Sequence, residues 1–280
     1  MKNQTVIKIF VLLFTLFFLT VPVMAGYTVV PMQFTLNAIP GKTVTHIMKV
    51  ENMEKTPVSL RISTTDFIKG LHGEEKQVEP GTVKRGCASW IMVSPKRLEL
   101  APHETQTVNF SMTIPMDGEG TYWGNIFVSQ VSKPTRSKII KKEKTSFQIF
   151  AMQDMLIRVL ENVPGTEQKQ GVITDISVKD HKAGGKTAVE VIFENQGNSL
   201  LKCSGQIQIM NDSGETVKTV PLDYGHAPFT VYPGGKRAVH GYIGENLLPG
   251  NYLLLTVIDY GGENLVAGEM EMEIRGRKIE

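Results

Sequence analysis

From residue 26 onward, apolar and polar positions alternate with a period of two, in short stretches rich in Val, Ile, Thr, Phe and Met. Gly, Pro, Asn or Asp closes each stretch at roughly the 8 to 12 residue spacing of a β-sandwich. Successive side chains of a strand point to opposite faces, so this pattern predicts sheets with one face buried and the other wet. Clear cases are residues 43–50 (TVTHIMKV), 58–64 (VSLRIST), 107–114 (TVNFSMTI) and 202–210 (KCSGQIQIM). No comparable stretch carries the helical period, which leaves room only for short helical turns in loops. The fold class predicted is all-β.

The second half of the chain repeats the first. Lys42-Thr43 opens a strand that ends Val50-Glu51-Asn52, and Lys186-Thr187 opens one that ends Phe193-Glu194-Asn195. Leu100-Ala101-Pro102 precedes Val108 as Val231-Tyr232-Pro233 precedes Val239, and each half then opens an apolar strand with Gly-x-Tyr, at Gly120-Thr121-Tyr122 and Gly250-Asn251-Tyr252. Proline to tyrosine is 20 residues in one half and 19 in the other. A proline before a strand fixes φ without removing a ladder bond, and a tyrosine at a strand start can tie its hydroxyl back to a corner, as in immunoglobulin-like sandwiches. The landmarks predict one module used twice, as two tandem immunoglobulin-like β-sandwich domains at 26–161 and 172–280. The polar segment 162–171, with Pro164 and Gly165, is the expected linker.

Residues 1–25 are of another kind. Lys2 and Lys8 precede the apolar run 9–19 (IFVLLFTLFFL), and Val23-Met24-Ala25 puts small residues where a signal peptidase cuts. The run is shorter than the roughly 20 apolar residues that a membrane span needs, so a cleaved signal peptide is expected and a periplasmic or otherwise extracytoplasmic location follows. No membrane span is expected in the mature chain, because its most apolar stretch, 246–260, is broken by Pro249-Gly250. The chain has 30 Lys and Arg against 28 Asp and Glu, and loss of Lys2 and Lys8 with the leader brings these into balance. Such a chain has no general pull toward nucleic acid.

Only Cys87 and Cys203 are present, in different halves, where the ~6 Å Cα separation of a disulfide is not expected. Two buried thiols are predicted instead. The fold is then held by core burial, which two domains of this size can supply.

No catalytic or metal-binding spacing is found. The 6 histidines form no HxH, HExxH or Cys-His cluster. Gly184-Gly185-Lys186 and Gly234-Gly235-Lys236 lack the phosphate-loop spacing and read as turn glycines, and no Gly-x-Ser-x-Gly elbow occurs. Glu74-Glu75 and the alternating Glu269, Glu271 and Glu273 are the only acidic groupings of note. The latter alternate with Met270, Met272 and Ile274, which reads as a final strand with one wet face. The expectation is no enzyme, no metal and no cofactor.

One segment stands apart. Residues 133–144 (KPTRSKIIKKEK) form a basic stretch before a long β pattern, 145–160 (TSFQIFAMQDMLIRVL). Phe147, Ile149 and Ala151 share one face of that strand. An apolar terminal strand beside an open edge pairs readily with a partner's strand, main-chain bonds giving affinity and alternate side chains selectivity. From the pattern alone, an ordinary last strand that fills its own core after a solvated loop is the favoured reading.

Residues 30 to 160 resemble the first domain of the periplasmic pilus-assembly chaperones, the PapD-like family. The resemblance is carried by Pro40-Gly41-Lys42, the strand end Val50-Glu51-Asn52, the run Trp90-Ile91-Met92-Val93-Ser94-Pro95-Lys96-Arg97-Leu98-Glu99-Leu100 leading to Pro102, and Tyr122-Trp123-Gly124-Asn125-Ile126. The second half resembles a generic sandwich, and its Pro-Gly-Asn-Tyr strand is similar to those of two-domain surface proteins of Gram-positive bacteria. The family resemblance implies donor-strand complementation, in which the last strand of the first domain is lent to a pilin-like subunit and a basic pair in the cleft anchors the subunit's C-terminal carboxylate. Phe147, Ile149 and Ala151 would lie in the lent strand. Arg158, in Ile157-Arg158-Val159, matches the place of the family's cleft lysine, and its planar fork suits a carboxylate. The family's arginine on the first strand has no counterpart, since residues 26–41 contain no Lys or Arg.

Two functions follow as expectations: an exported chaperone-like protein that binds an envelope or pilus-type subunit by β-strand addition, or a non-catalytic structural or adhesive two-domain protein of the cell envelope. The first requires a protein partner, such as a pilin-like subunit; in the second the sandwiches act as spacers or as a surface for other proteins or glycans; neither requires nucleic acid.

Overall fold

The structure, a computed structural model, describes residues 26–131, 154–180, 187–223, 228–244 and 247–274. The leader, Gly184-Gly185 and the three candidate contact residues Phe147, Ile149 and Ala151 lie outside these residues.

The alternating stretches become strands. The first ten are β1 (Tyr27–Val30), β2 (Gln33–Leu36), β3 (Thr43–Asn52), β4 (Val58–Lys69), β5 (Glu75–Val78), β6 (Ile91–Ser94), β7 (Arg97–Leu100), β8 (Thr105–Thr113), β9 (Gly120–Gln130) and β10 (Asp154–Val163). They form one sheet in the order β1-β3-β8-β6 and a second in the order β2-β10-β9-β4-β5, with β7 also on β4. Every ladder is antiparallel except β2 on β10, which is parallel. The inward faces enclose a core built around Tyr27, Met48, Leu60, Phe110, Ile126 and Ile157.

The remaining strands are β11 (Gly171–Asp180), β12 (Thr187–Asn195), β13 (Leu201–Asn211), β14 (Thr216–Pro221), β15 (Phe229–Val231), β16 (Lys236–Ile243), β17 (Gly250–Asp259) and β18 (Val266–Ile274). Their sheets run β11-β12-β16 and β14-β13-β17-β18, with β15 on β13. They close over a separate core around Val191, Phe193, Leu201, Ile209 and Leu254. Glu269, Glu271 and Glu273 are exposed on β18 between more buried neighbours, as the alternation predicts. A 3₁₀ turn, Ala88–Trp90, precedes β6.

The sequence repeat is also a repeat of hydrogen bonds. Asn52 ends β3 fully buried, and its Nδ2 donates to the carbonyls of Thr56 at 2.8 Å and Leu100 at 3.3 Å. Asn195 ends β12 fully buried and donates to the carbonyls of Ser199 at 2.8 Å and Val231 at 2.9 Å. Each Oδ1 accepts the backbone N–H two residues on, from Glu54 and Gly197. The shared geometry explains the landmarks: a buried amide has to find partners for both its ends, and the turn that follows the strand and the residue two before the proline supply them. Gly234 and Gly235 belong to that turn, where Gly234 has φ of 71° and Gly235 donates to the Tyr232 carbonyl.

The two units meet through a compact polar junction. Thr121 donates its backbone N–H to the Asn198 carbonyl at 2.8 Å, and its hydroxyl accepts from the Leu200 N–H at 3.0 Å. Within 162–171, Val163 still belongs to β10, and Thr166 accepts from the Gly120 N–H at 2.7 Å. Asn198 Nδ2 donates to the Thr166 carbonyl while its Oδ1 accepts from Gln168. On the far side Ala238 donates to the Leu71 carbonyl at 2.8 Å. Phe67, Trp123 and Leu160, packed with Tyr232 and Leu200, form a third apolar cluster between the units.

Candidate functional site

The face of the second sheet turned toward the other unit carries Phe67 and Lys69 of β4, Glu75 of β5, Trp123 and Asn125 of β9, and Arg158 and Leu160 of β10. Strand alternation puts them there, since Ile157 and Val159 of β10 point the opposite way, into the first core. Leu160 and Phe67 bury themselves against the second unit and Asn125 is also buried, whereas Lys69, Glu75 and Arg158 keep partial exposure.

Arg158 lies among these residues, and its counter-charge comes from within the chain. Its Nη2 stands 2.7 Å from Oε2 of Glu75, and Lys69 reaches the same oxygen at 2.9 Å. The guanidinium lies 4.0 Å above the centre of the Phe67 ring, a cation–π contact. Gln77 and Asn125 donate to the other Glu75 oxygen at 2.7 and 3.2 Å. Burial would push the Glu75 carboxyl up, but the bonds from Arg158, Lys69 and Gln77 prevail and hold it at about 2. Nη1 of Arg158 and Oδ1 of Asn125 are buried and meet no hydrogen-bond partner among the described residues.

A cavity of about 580 Å³ opens beside Arg158, walled by Gln33 and Thr35 of β2 and by Lys169, Lys202, Tyr232 and Tyr260. Lys169 donates to the Gly261 carbonyl at 2.9 Å. Lys202 of β13 and Lys169 thus face the same cavity as Arg158. Sequence reasoning missed both lysines, because nothing local to them marks the cleft. It also read Glu74-Glu75 without linking Glu75 to an arginine 83 residues away.

The edge of β10 is covered only in part. Arg158 to Glu161 run beside Gln33 to Leu36 of β2, with the Arg158 N–H bonded to the Met32 carbonyl at 3.0 Å. Before Arg158, the residues Asp154, Met155, Leu156 and Ile157 pair with β9 alone. Main-chain groups alternate sides along a strand, so Leu156 turns its N–H and C=O toward the uncovered side, as Arg158 turns its own toward β2. Among the described residues nothing pairs with them.

Beneath the site, Glu161 is fully buried on β10, and its Oε1 accepts from the Ala38 N–H at 2.7 Å. Burial, only partly offset by that bond, raises its carboxyl to about 7. Cys87 and Cys203 are both buried free thiols, pushed up chiefly by burial, Cys203 to about 12. They are not nucleophiles at neutral pH. Among the described residues no three His, Cys, Asp or Glu side chains are grouped to hold a metal ion, and no helix is long and apolar enough to cross a membrane.

No family model matches the chain, and no curated protein matches it. Solved structures do. The chain is similar in structure to PapD-like fimbrial chaperones. The class 5 fimbriae chaperone CfaA shares 13% identity over 87% of this chain and 98% of its own, with a TM-score of 0.47. The E. coli chaperone DraB shares 12% over 89% and 98%, with a TM-score of 0.41, and the Pseudomonas aeruginosa CupB2 chaperone shares 11% over 89% and 100%, also with 0.41.

Proposed function

We propose that this chain is an exported, chaperone-like protein that holds an extended segment of an envelope or pilin-like subunit by adding it as a strand to the edge of β10. The observation that carries the proposal is the half-covered edge: β2 shields Arg158 to Glu161, while the main-chain groups of Leu156 on the same side meet no partner among the described residues. An added strand satisfies such groups directly, and the side chains that alternate along it supply selectivity. Phe147, Ile149 and Ala151, upstream on the same β pattern, are the proposed side-chain contacts.

Arg158 is the proposed receiver of the segment's acidic terminus. Its side chain lines the cavity that Lys202 also faces, and an arriving carboxylate would share or replace Glu75 as its counter-charge. The leader pattern supports export to the periplasm or another extracytoplasmic space. The proposed units are 26–161 and 172–280, joined by 162–171.

Tagged protein recovered from the cell envelope tests this reading. The wild type is expected to bring down a specific envelope protein, and Phe147→Asp with Ile149→Asp is expected to lose it while keeping the wild-type circular dichroism spectrum. Retention of the partner by the folded double variant overturns the proposal.

The tight junction favours a second reading, a non-catalytic structural or adhesive module, because bonds at Thr121, Thr166 and Asn198 resist bending as a spacer must. Exposure at the cell surface with no unstable client would support it.

A further inference from the structure

On the other side of Phe67 and Tyr232 from the Arg158 cavity, a larger cavity of about 800 Å³ lies between the units. Its volume is within the roughly 300–1,000 Å³ of pockets for small organic ligands. Its floor is aromatic: Phe67, Trp123 and Tyr232 pack edge to face or tilted with ring centres 4.8 to 6.3 Å apart, beside Val83. Its rim is cationic. Lys69, Arg85 and Lys236 are engaged by Glu75, Glu119 and Glu194. Among the described residues Lys84 and Arg237 form no ion pair, and Nε of Arg237 is buried with no hydrogen-bond partner. Among the described residues Asp223 is the single acid in the wall.

Arg237 is also held in place. A Cβ built at Gly73 would fall 1.3 Å from its Nη1, so the guanidinium occupies the space that this glycine leaves open at the tip of the β4–β5 hairpin. The neighbouring bond from Ala238 to Leu71 fixes the hairpin against β16. A cation already immobilised loses little freedom when an anion arrives.

We propose that this cavity is a binding site for an amphipathic organic anion, a flat apolar body carrying one acidic head, with the body on Trp123 and Tyr232 and the head between Lys84 and Arg237. The site stands on this cavity alone and is independent of strand addition at β10.

The probe is 8-anilinonaphthalene-1-sulfonate, with uncharged N-phenyl-1-naphthylamine as its counterpart. The chain has 2 tryptophans, so Trp90→Phe leaves Trp123 as the sole reporter. One equivalent of the sulfonate is expected to bind the folded protein and quench Trp123. Affinity is expected to fall at least about tenfold for the uncharged counterpart and in Lys84→Gln with Arg237→Gln, one decade being about 1.4 kcal/mol. If Arg237→Gln loosens the fold, Lys84→Glu alone is expected to weaken binding several-fold. Equal affinity for the two probes, binding unchanged by removal of the cations, or no quenching of Trp123 would overturn the assignment.

Discussion

Arg158 and Glu75 meet at 2.7 Å on the face of the second sheet that looks into the cleft, one from β10 and one from β5. The cation proposed to receive a partner's carboxylate already has one within the chain. An incoming acidic terminus competes with Glu75 for the guanidinium. Replacing Glu75 by Gln removes the competitor and leaves Arg158 partly buried without its counter-charge, a state costly to the free protein and relieved by a bound acid. Glu75→Gln is therefore expected to lower the thermal midpoint and to tighten binding of the captured partner several-fold, whereas Arg158→Gln weakens it. Calorimetric titration of the two variants checks both signs.

The same pair predicts a response to acid. Glu75 titrates at about 2 in the folded protein against an ordinary 4.5. Its contribution to stability is present above about pH 4.5 and is lost as the pH falls toward 2. Thermal midpoints measured from pH 5 to pH 2 are expected to fall more steeply in the wild type than in Glu75→Gln.

Glu161 has the opposite sign. Its carboxyl, raised to about 7, keeps a proton in the folded state that the unfolded chain releases near 4.5. Stability from this group is full below about pH 4.5, declines as the pH rises to about 7 and is level above it. Glu161→Gln is expected to stabilise the protein at pH 8 and to leave it nearly unchanged at pH 4, as read by denaturant unfolding at the two pH values.

Asn52 and Asn195 are the matching rivets of the two sandwiches. Loss of either side chain leaves buried carbonyls unsatisfied, at a cost of roughly 1–3 kcal/mol. Asn52→Ala is expected to destabilise the first unit and Asn195→Ala the second. Hydrogen exchange resolved by segment shows whether each loss stays within its own sandwich.

Gly120 sits at the junction with φ of 64°, and a Cβ there would lie 2.2 Å from the Asn198 carbonyl oxygen. Gly120→Ala meets a strained backbone and a clash together, and is expected to cost more than about 1 kcal/mol. Limited proteolysis is expected to cut the variant between the units faster than the wild type.

Much of this fold is written locally. Period-two alternation marked β3, β4, β8 and β13, and the spacing of Asn, Pro and Tyr carried the repeat because those residues build the same strand-end bonds twice. The tyrosines followed only in part. The Tyr252 hydroxyl donates to the Leu248 carbonyl, but that of Tyr122 accepts from the Glu119 N–H. Contacts set by the packing of distant segments left no local trace. Glu75 reaches Arg158 only because β5 folds back on β4, and Lys202 reaches the cleft only because the junction places the second unit there. The parallel cover of β2 over half of β10 likewise depends on the chain crossing between sheets after Val30, and a run of four residues does not declare its partner.

The central claim is addition of a partner strand at the uncovered edge of β10, and amide hydrogen exchange at Leu156 tests it most directly. In the free protein the Leu156 amide is expected to exchange quickly while that of Arg158, bonded to Met32, exchanges slowly. With the captured envelope partner bound, Leu156 is expected to slow by about a hundredfold or more, since about 1.4 kcal/mol of added protection is worth each factor of ten. A bound partner that leaves exchange at Leu156 unchanged would contradict strand addition.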